Sequence, residues 1–115
     1  RQDIYSFAKL FNLILHYELN NYDLLDYITK STLRFLKKSE KNYKSDLVLI
    51  KYLKQLIKAN TEGDKKIIFE QAKKEFELLF LNNEEKIILQ FIDVISWFNS
   101  KINDSTFETA VKHQL

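Results

Sequence analysis

The sequence contains no cysteine, no proline, no methionine and a single glycine among its 115 residues. Without cysteine the chain has no disulfide, no thiolate metal site and no cysteine nucleophile. One glycine cannot form the glycine-rich loops that cradle phosphates and dinucleotides. Sheet proteins usually need tight turns made by glycine, proline or asparagine–glycine pairs. The scarcity of these signals therefore predicts an all-α protein.

The sequence also lacks an initiating methionine and long apolar runs. Because residue 1 is arginine, we expect the chain to be a processed product or a piece of a longer protein, folded as one all-helical domain over residues 1–115. No run approaches the roughly 18 apolar residues that read as a membrane span, and a signal-peptide pattern is absent. We expect no insertion into a membrane, and a cytoplasmic location is favoured.

Apolar residues recur at intervals of three and four along five segments, which is the period of buried helical faces. The pairs Asn20-Asn21 and Asn82-Asn83 are expected at helix junctions, because asparagine tolerates left-handed backbone and caps helices. We expect Ser45 to cap the third helix and Thr61 or Asp64 the fourth. The prediction is five main antiparallel helices with short connections. A capping box over residues 105–108 adds a short terminal helix to about His113.

Two of these helices are unusually apolar. In the first, the expected buried face consists of Ile4, Phe7, Ala8, Phe11, Ile14 and Leu15, and Leu10, Leu13, Tyr17 and Leu19 widen it. The fifth helix, from about Glu84, is apolar nearly all round, with Asp93 in its middle. We expect this helix to be central, with Phe91, Ile95, Trp97 and Phe98 largely buried.

The first two helices resemble one tetratricopeptide repeat, in which two helices pair over about 34 residues. Leu10, Leu13, Ile14 and Tyr17 have the spacing of the first-helix motif, and residues 19–22 resemble its elbow. The glycine position holds Ile14 and the alanine positions hold Leu25 and Thr32, so the repeat is degenerate. The runs at residues 11–38 and 91–102 resemble the C-terminal region of uncharacterised bacterial tetratricopeptide-like proteins. This resemblance implies a position after upstream helical repeats, and it implies no activity.

Tyr5, Lys9, Asn12 and His16 fall on one stripe of the first helix. In tetratricopeptide-like arrays the first helix of each pair lines the ligand-facing side, so the resemblance marks these residues as a candidate partner-binding stripe. The alternative is that they form the solvated face of an otherwise apolar helix.

The strongest charge feature is a basic tract from Lys30 to Lys58, with nine basic residues against Glu40 and Asp46. Lys44, Lys51, Lys54 and Lys58 share one face of the third helix and could follow the phosphates of a nucleic acid or another polyanion. Only two of the 18 basic residues are arginine, the residue favoured for bidentate phosphate contacts. The alternative is a solvated lysine face, and nucleic-acid binding is the less favoured interpretation.

No residue set points to catalysis, to a metal or to a cofactor. The two histidines, His16 and His113, are far apart in the sequence, and neither has a metal-ligand partner at helical spacing. We therefore expect a non-enzymatic interaction or scaffold module. Its partner would be an unknown protein or peptide, or upstream repeats of its own chain. Because the first helix is so apolar, we also expect an isolated chain to form a homodimer through it.

Overall fold

The computed structural model describes residues 2–39, 43–103 and 111–112. Across these residues the chain is all-helical with no β-strand, which confirms the expected fold class. The elements are α1 (Gln2–Glu18), α2 (Tyr22–Lys38), α3 (Lys44–Lys58), α4 (Glu62–Leu79), a 3-10 helix (Asn83–Gln90) and α5 (Val94–Ile102). Val111 and Lys112 are helical, but the capping box expected at residues 105–108 lies outside the described residues.

The chain divides into two compact units, Arg1–Lys58 and Ala59–Leu115. In the first unit α1 packs against both α2 and α3, and α2 packs against α3. In the second unit α4 packs against α5. Consecutive α-helices within each unit are thus neighbours, as short connections dictate. The expectation of one domain over residues 1–115 stays a prediction.

The elbow between α1 and α2 is a Schellman motif centred on Asn20. This residue has a φ of 60°, the left-handed conformation that asparagine tolerates better than most residues. The backbone N–H of Asn20 donates to the carbonyl of Tyr17, and that of Asn21 donates to the carbonyl of His16, both at 3.0 Å. These bonds satisfy carbonyls that the end of α1 would leave without partners. The Asn20-Asn21 junction is therefore confirmed.

The N-terminal ends of α3 and α4 are held by different kinds of contact. Thr61 caps α4, because its Oγ1 accepts a hydrogen bond of 3.0 Å from the backbone N–H of Asp64. The expected cap at Ser45 is wrong, since α3 begins at Lys44 and Ser45 is buried inside its first turn. Tyr43, just before the helix, stacks its ring on Phe7 with centroids 5.9 Å apart. That contact holds the chain in place at the point where α3 begins.

The expected continuous fifth helix is also wrong. A 3-10 helix ends at Gln90, and α5 begins at Val94. Asp93 is the N-cap of α5 and not a mid-helix residue, because its carboxylate accepts a hydrogen bond from the backbone N–H of Ser96. The carboxylate therefore caps the free N–H groups of a new helix. The second asparagine junction is confirmed, with Asn82 Oδ1 accepting from the backbone N–H of Glu84.

The second unit has an aromatic core. Phe69 of α4 meets Trp97 of α5 edge to face at 5.3 Å, and Phe76 lies 5.3 Å from Phe98. All four rings are buried, which confirms the expected burial of Trp97 and Phe98. Phe91 was expected in this core but is 45% exposed, because it lies at the break between the 3-10 helix and α5.

The core of the first unit follows one stripe on each of α2 and α3. On α2 the buried residues are Leu25, Thr29, Thr32 and Leu36, at spacings of four, three and four. Leu24 is exposed because it lies about 100° around the helix from Leu25. Leu47 on α3 is likewise exposed. Both residues lie in the first turns of their helices, to one side of the stripe that packs.

Candidate interaction surface on the first helix

The packed face of α1 is not the one expected from the first apolar series. The buried residues are Ser6, Phe7, Leu10, Leu13, Ile14 and Tyr17. Four residues assigned to the buried face, Ile4, Ala8, Phe11 and Leu15, are instead exposed. The apolar residues of α1 cover about two thirds of its circumference at 100° per residue. Contacts with α2 and α3 cover only part of that circumference.

The residues left uncovered form a continuous outer stripe, defined as Ile4, Ala8, Phe11 and Leu15. Ile4 is 49% exposed, Phe11 47% and Leu15 44%, and Leu19 just beyond the stripe is 65% exposed. The four residues of the stripe lie within about 60° of one another around the axis and extend about 16 Å along it. Half of each large side chain is thus packed against the protein, and the other half faces solvent.

On α2 and α4 the exposed apolar residues do not form such a continuous surface. On α4, Ile67 and Leu78 are exposed, but Gln71 and Lys74 lie between them on the same side. On α2, the exposed Leu24 and Tyr27 are followed by a polar run from Lys30. Single exposed apolar residues are ordinary, whereas contiguous apolar patches mark interaction sites. The outer stripe is therefore the candidate site in the first unit.

The partner-binding stripe expected from the sequence borders the outer stripe on the side that leads towards α2. Tyr5, Lys9 and Asn12 are exposed and His16 is half-buried. Two of the four, Lys9 and His16, make contacts within the first unit. The Lys9 ammonium lies 4.8 Å from the ring centroid of Phe35. The side-chain amide of Asn21 donates to His16 Nδ1 at 3.2 Å. Lys9 and His16 therefore help to hold α2 and the elbow, which leaves Tyr5 and Asn12 as the polar border of the outer stripe.

The four lysines of α3 share one face of the helix, within about 80° around its axis. Lys44, Lys51 and Lys58 are exposed and Lys54 is half-buried. The Lys51 ammonium lies 4.7 Å from the ring centroid of Tyr52, and the exposed Leu47 falls among the lysines. The structure thus brings the predicted residues together as one basic face.

The sequence did not identify Ala8, Phe11 and Leu15 as candidate site residues, because they recur at the same three- and four-residue spacing as buried residues. A usable signal was the width of the apolar surface, since neighbours on one side of a helix cannot cover so wide an arc.

Among the described residues, no group of three or more histidines, aspartates or glutamates is placed to hold a metal ion. None of the described helices is both long and apolar enough to cross a membrane.

No protein-family model matches the sequence, and no curated protein or solved structure matches it. The resemblance to tetratricopeptide-like proteins therefore stays a prediction, and a function has to be inferred from the surfaces of the chain itself.

Proposed function

We propose that this chain is a non-enzymatic protein–protein interaction module that binds a helical segment on the outer stripe of α1. The observation that supports the proposal is a continuous apolar stripe on the exposed side of a helix whose opposite side is buried. Exposing half of three large apolar side chains is unfavourable in water, and each fully buried chain of this kind is worth about 1.5–3 kcal/mol. A surface of this type is well suited to an amphipathic helix, which presents its own apolar stripe.

The rigidity of α1 supports the same function. Phe7, Leu10 and Leu13 anchor the opposite side of the helix in the core of the first unit, and the Schellman motif fixes its C-terminal end. A partner helix would therefore meet a surface that needs little ordering on binding, which lowers the entropic cost of association. Tyr5 and Asn12 would supply the polar rim that surrounds the apolar centre of typical interfaces.

Selection from a displayed library of amphipathic helical peptides tests this proposal. Peptides selected on the wild-type chain should bind the Phe11→Glu variant at least about tenfold more weakly, because the substitution places a charge at the centre of the interface. Leu78→Glu is the matched control, since it puts the same charge on an exposed leucine of α4. Equal binding by wild type and Phe11→Glu would contradict the proposal.

A second candidate function is polyanion binding by the basic face of α3. The observation that favours it is that Lys44, Lys51 and Lys58 are exposed together on one face of the helix. Cationic stripes of this kind bind nucleic acids through phosphates, with an affinity that falls steeply as salt rises. Lysine alone gives charge attraction without the bidentate contacts of arginine, so binding would have little sequence preference.

Titration with single- and double-stranded DNA and RNA at low salt tests this second candidate. The triple variant Lys51→Gln, Lys54→Gln and Lys58→Gln should bind much more weakly, and its salt slope should fall by about 0.7–0.9 for each phosphate that is no longer neutralised. The matched control replaces Lys66, Lys74 and Lys86, which are exposed lysines of the second unit. Absence of binding by the wild-type chain, or equal weakening in both triple variants, would contradict the role of α3.

A further inference from the structure

We propose that the helix bound on the outer stripe is α1 of a second copy of this chain, packed antiparallel about a two-fold axis. This inference rests on the proposed function and deepens it by naming the partner. It is carried by three properties of the stripe: its spacing, the sizes of its side chains and its lack of charge.

The spacing of the stripe is that of a helix–helix seam. From Ile4 the stripe continues to Ala8, Phe11 and Leu15, with successive steps of four, three and four residues. These steps average about 3.7 residues, close to the 3.6 residues of one helical turn, and they keep one line of side chains facing a neighbouring helix. Two helices with such lines can pack side by side at a small crossing angle. The stripe therefore fits a helix that runs along α1 better than one that crosses it.

The side-chain sizes distinguish an antiparallel pair of copies from a parallel one. When two copies of α1 run antiparallel about a point between residues 9 and 10, Ile4 meets Leu15 of the second copy. In the same arrangement Ala8 meets Phe11 of the second copy, so the smallest residue of the stripe faces the largest. A parallel pair in register would instead set Phe11 against Phe11 and leave a gap between two alanines. Dense packing without gaps favours the antiparallel arrangement.

Charge does not oppose this pairing. No residue of the stripe is charged, and the nearest lysine, Lys9, holds its ammonium over the Phe35 ring on the side of α2. Glu18 lies three residues beyond Leu15, at the C-terminal end of the stripe and far from the two-fold axis. The sequence of α1 carries one lysine against two acidic residues, so the helix itself adds little repulsion between copies. Two copies can therefore approach through this surface. A strongly charged partner would find no opposite charge at the centre of the stripe.

Sedimentation over a concentration series tests whether the second copy is the partner. The wild-type chain should form a dimer whose dissociation constant rises at least about tenfold in Phe11→Glu and stays unchanged in Leu78→Glu. Ala8→Phe is a sharper variant because it adds apolar surface at an exposed position. If Ala8 faces Phe11 across the axis, this larger side chain weakens the dimer, whereas indiscriminate hydrophobic association would be strengthened. Circular dichroism checks that each variant is folded.

Spin labels test the direction of the helices in the same dimer. The chain lacks cysteine, so Asn12→Cys and Leu19→Cys each give a single labelling site. At about 1.5 Å per residue, the antiparallel arrangement separates the two copies of residue 12 by about 8 Å along the axis and those of residue 19 by about 28 Å. Short separations at both positions would overturn the antiparallel arrangement.

A dimer that survives Phe11→Glu would place the contact elsewhere and overturn the proposal. A wild-type chain that stays monomeric throughout would overturn it as well. Such a monomer could still bind the selected helical peptides through Phe11, and the function proposed above would then stand. A monomer whose peptide binding is indifferent to Phe11→Glu would show that both are wrong.

Discussion

Asp93 forms two hydrogen bonds to Ser96 through the two oxygens of its carboxylate. Oδ1 accepts from the backbone N–H of Ser96 at 3.0 Å, and Oδ2 accepts from its Oγ at 2.8 Å. This pair starts α5 in the middle of a long apolar segment. It also fixes the turn that exposes Phe91 and buries Trp97.

Removing this cap should destabilise the second unit. Asp93→Ala takes away the acceptor for the Ser96 backbone N–H and should lower the free energy of unfolding by about 1–2 kcal/mol. Asp93→Asn retains a side-chain oxygen and should recover most of that loss. Chemical denaturation followed by Trp97 fluorescence measures both variants. Equal stability of wild type and Asp93→Ala would mean that the cap does not define α5.

The Asp93 cap also shows why the sequence predicted one continuous helix. Ile92 and Val94 flank the aspartate, so the apolar period runs through the break without interruption. An aspartate three residues before a serine is compatible with an N-cap, but mid-helix positions accept the same residues. Only the packing of α5 on α4 decides between an aspartate inside one continuous helix and an aspartate that caps a new helix.

The two asparagine junctions could be predicted because their signals are local. Asn20 and Asn82 lie where the apolar period stops, and asparagine is among the few residues that suit both ends of a helix. The width of the apolar surface indicated that part of α1 stays uncovered, but it did not indicate which part, because Phe11 and Leu15 have the same spacing as buried residues. Which part of α1 is covered depends on where α2 and α3 pack, and the periodicity of α1 does not contain that information.

The left-handed residue of the elbow gives a second stability test. Asn20→Ala should destabilise the first unit by about 1–2 kcal/mol, because an alanine Cβ is strained at a positive φ. Asn20→Gly should be close to wild type, because glycine adopts this conformation without that strain. Tyr22→Phe controls for the hydrogen bond from Tyr22 Oη to Asn20 Oδ1, which is exposed. Similar losses in Asn20→Ala and Asn20→Gly would assign the effect to the side chain and not to the backbone.

The aromatic core of the second unit predicts a large difference between two nearby residues. Trp97→Ala should lower the free energy of unfolding by about 3–5 kcal/mol, because it empties a buried site against Phe69. Phe91→Ala should cost less than about 1 kcal/mol, because Phe91 lies at the exposed break before α5. Denaturant melts followed by circular dichroism compare the two variants. A loss in Phe91→Ala as large as that in Trp97→Ala would place Phe91 in the core.

We expect the outer stripe of α1 to be open in the free chain and covered on association. The rate at which a thiol reagent modifies Ala8→Cys tests this, with Leu78→Cys as the control, because cysteine is small and leaves Phe11 in place. Modification at position 8 should be rapid in the dilute chain, and slower when the protein concentration rises or a selected helical peptide is added. Position 78 should react at one rate throughout. A rate at position 8 that depends on neither concentration nor peptide would show that the stripe is not the interface.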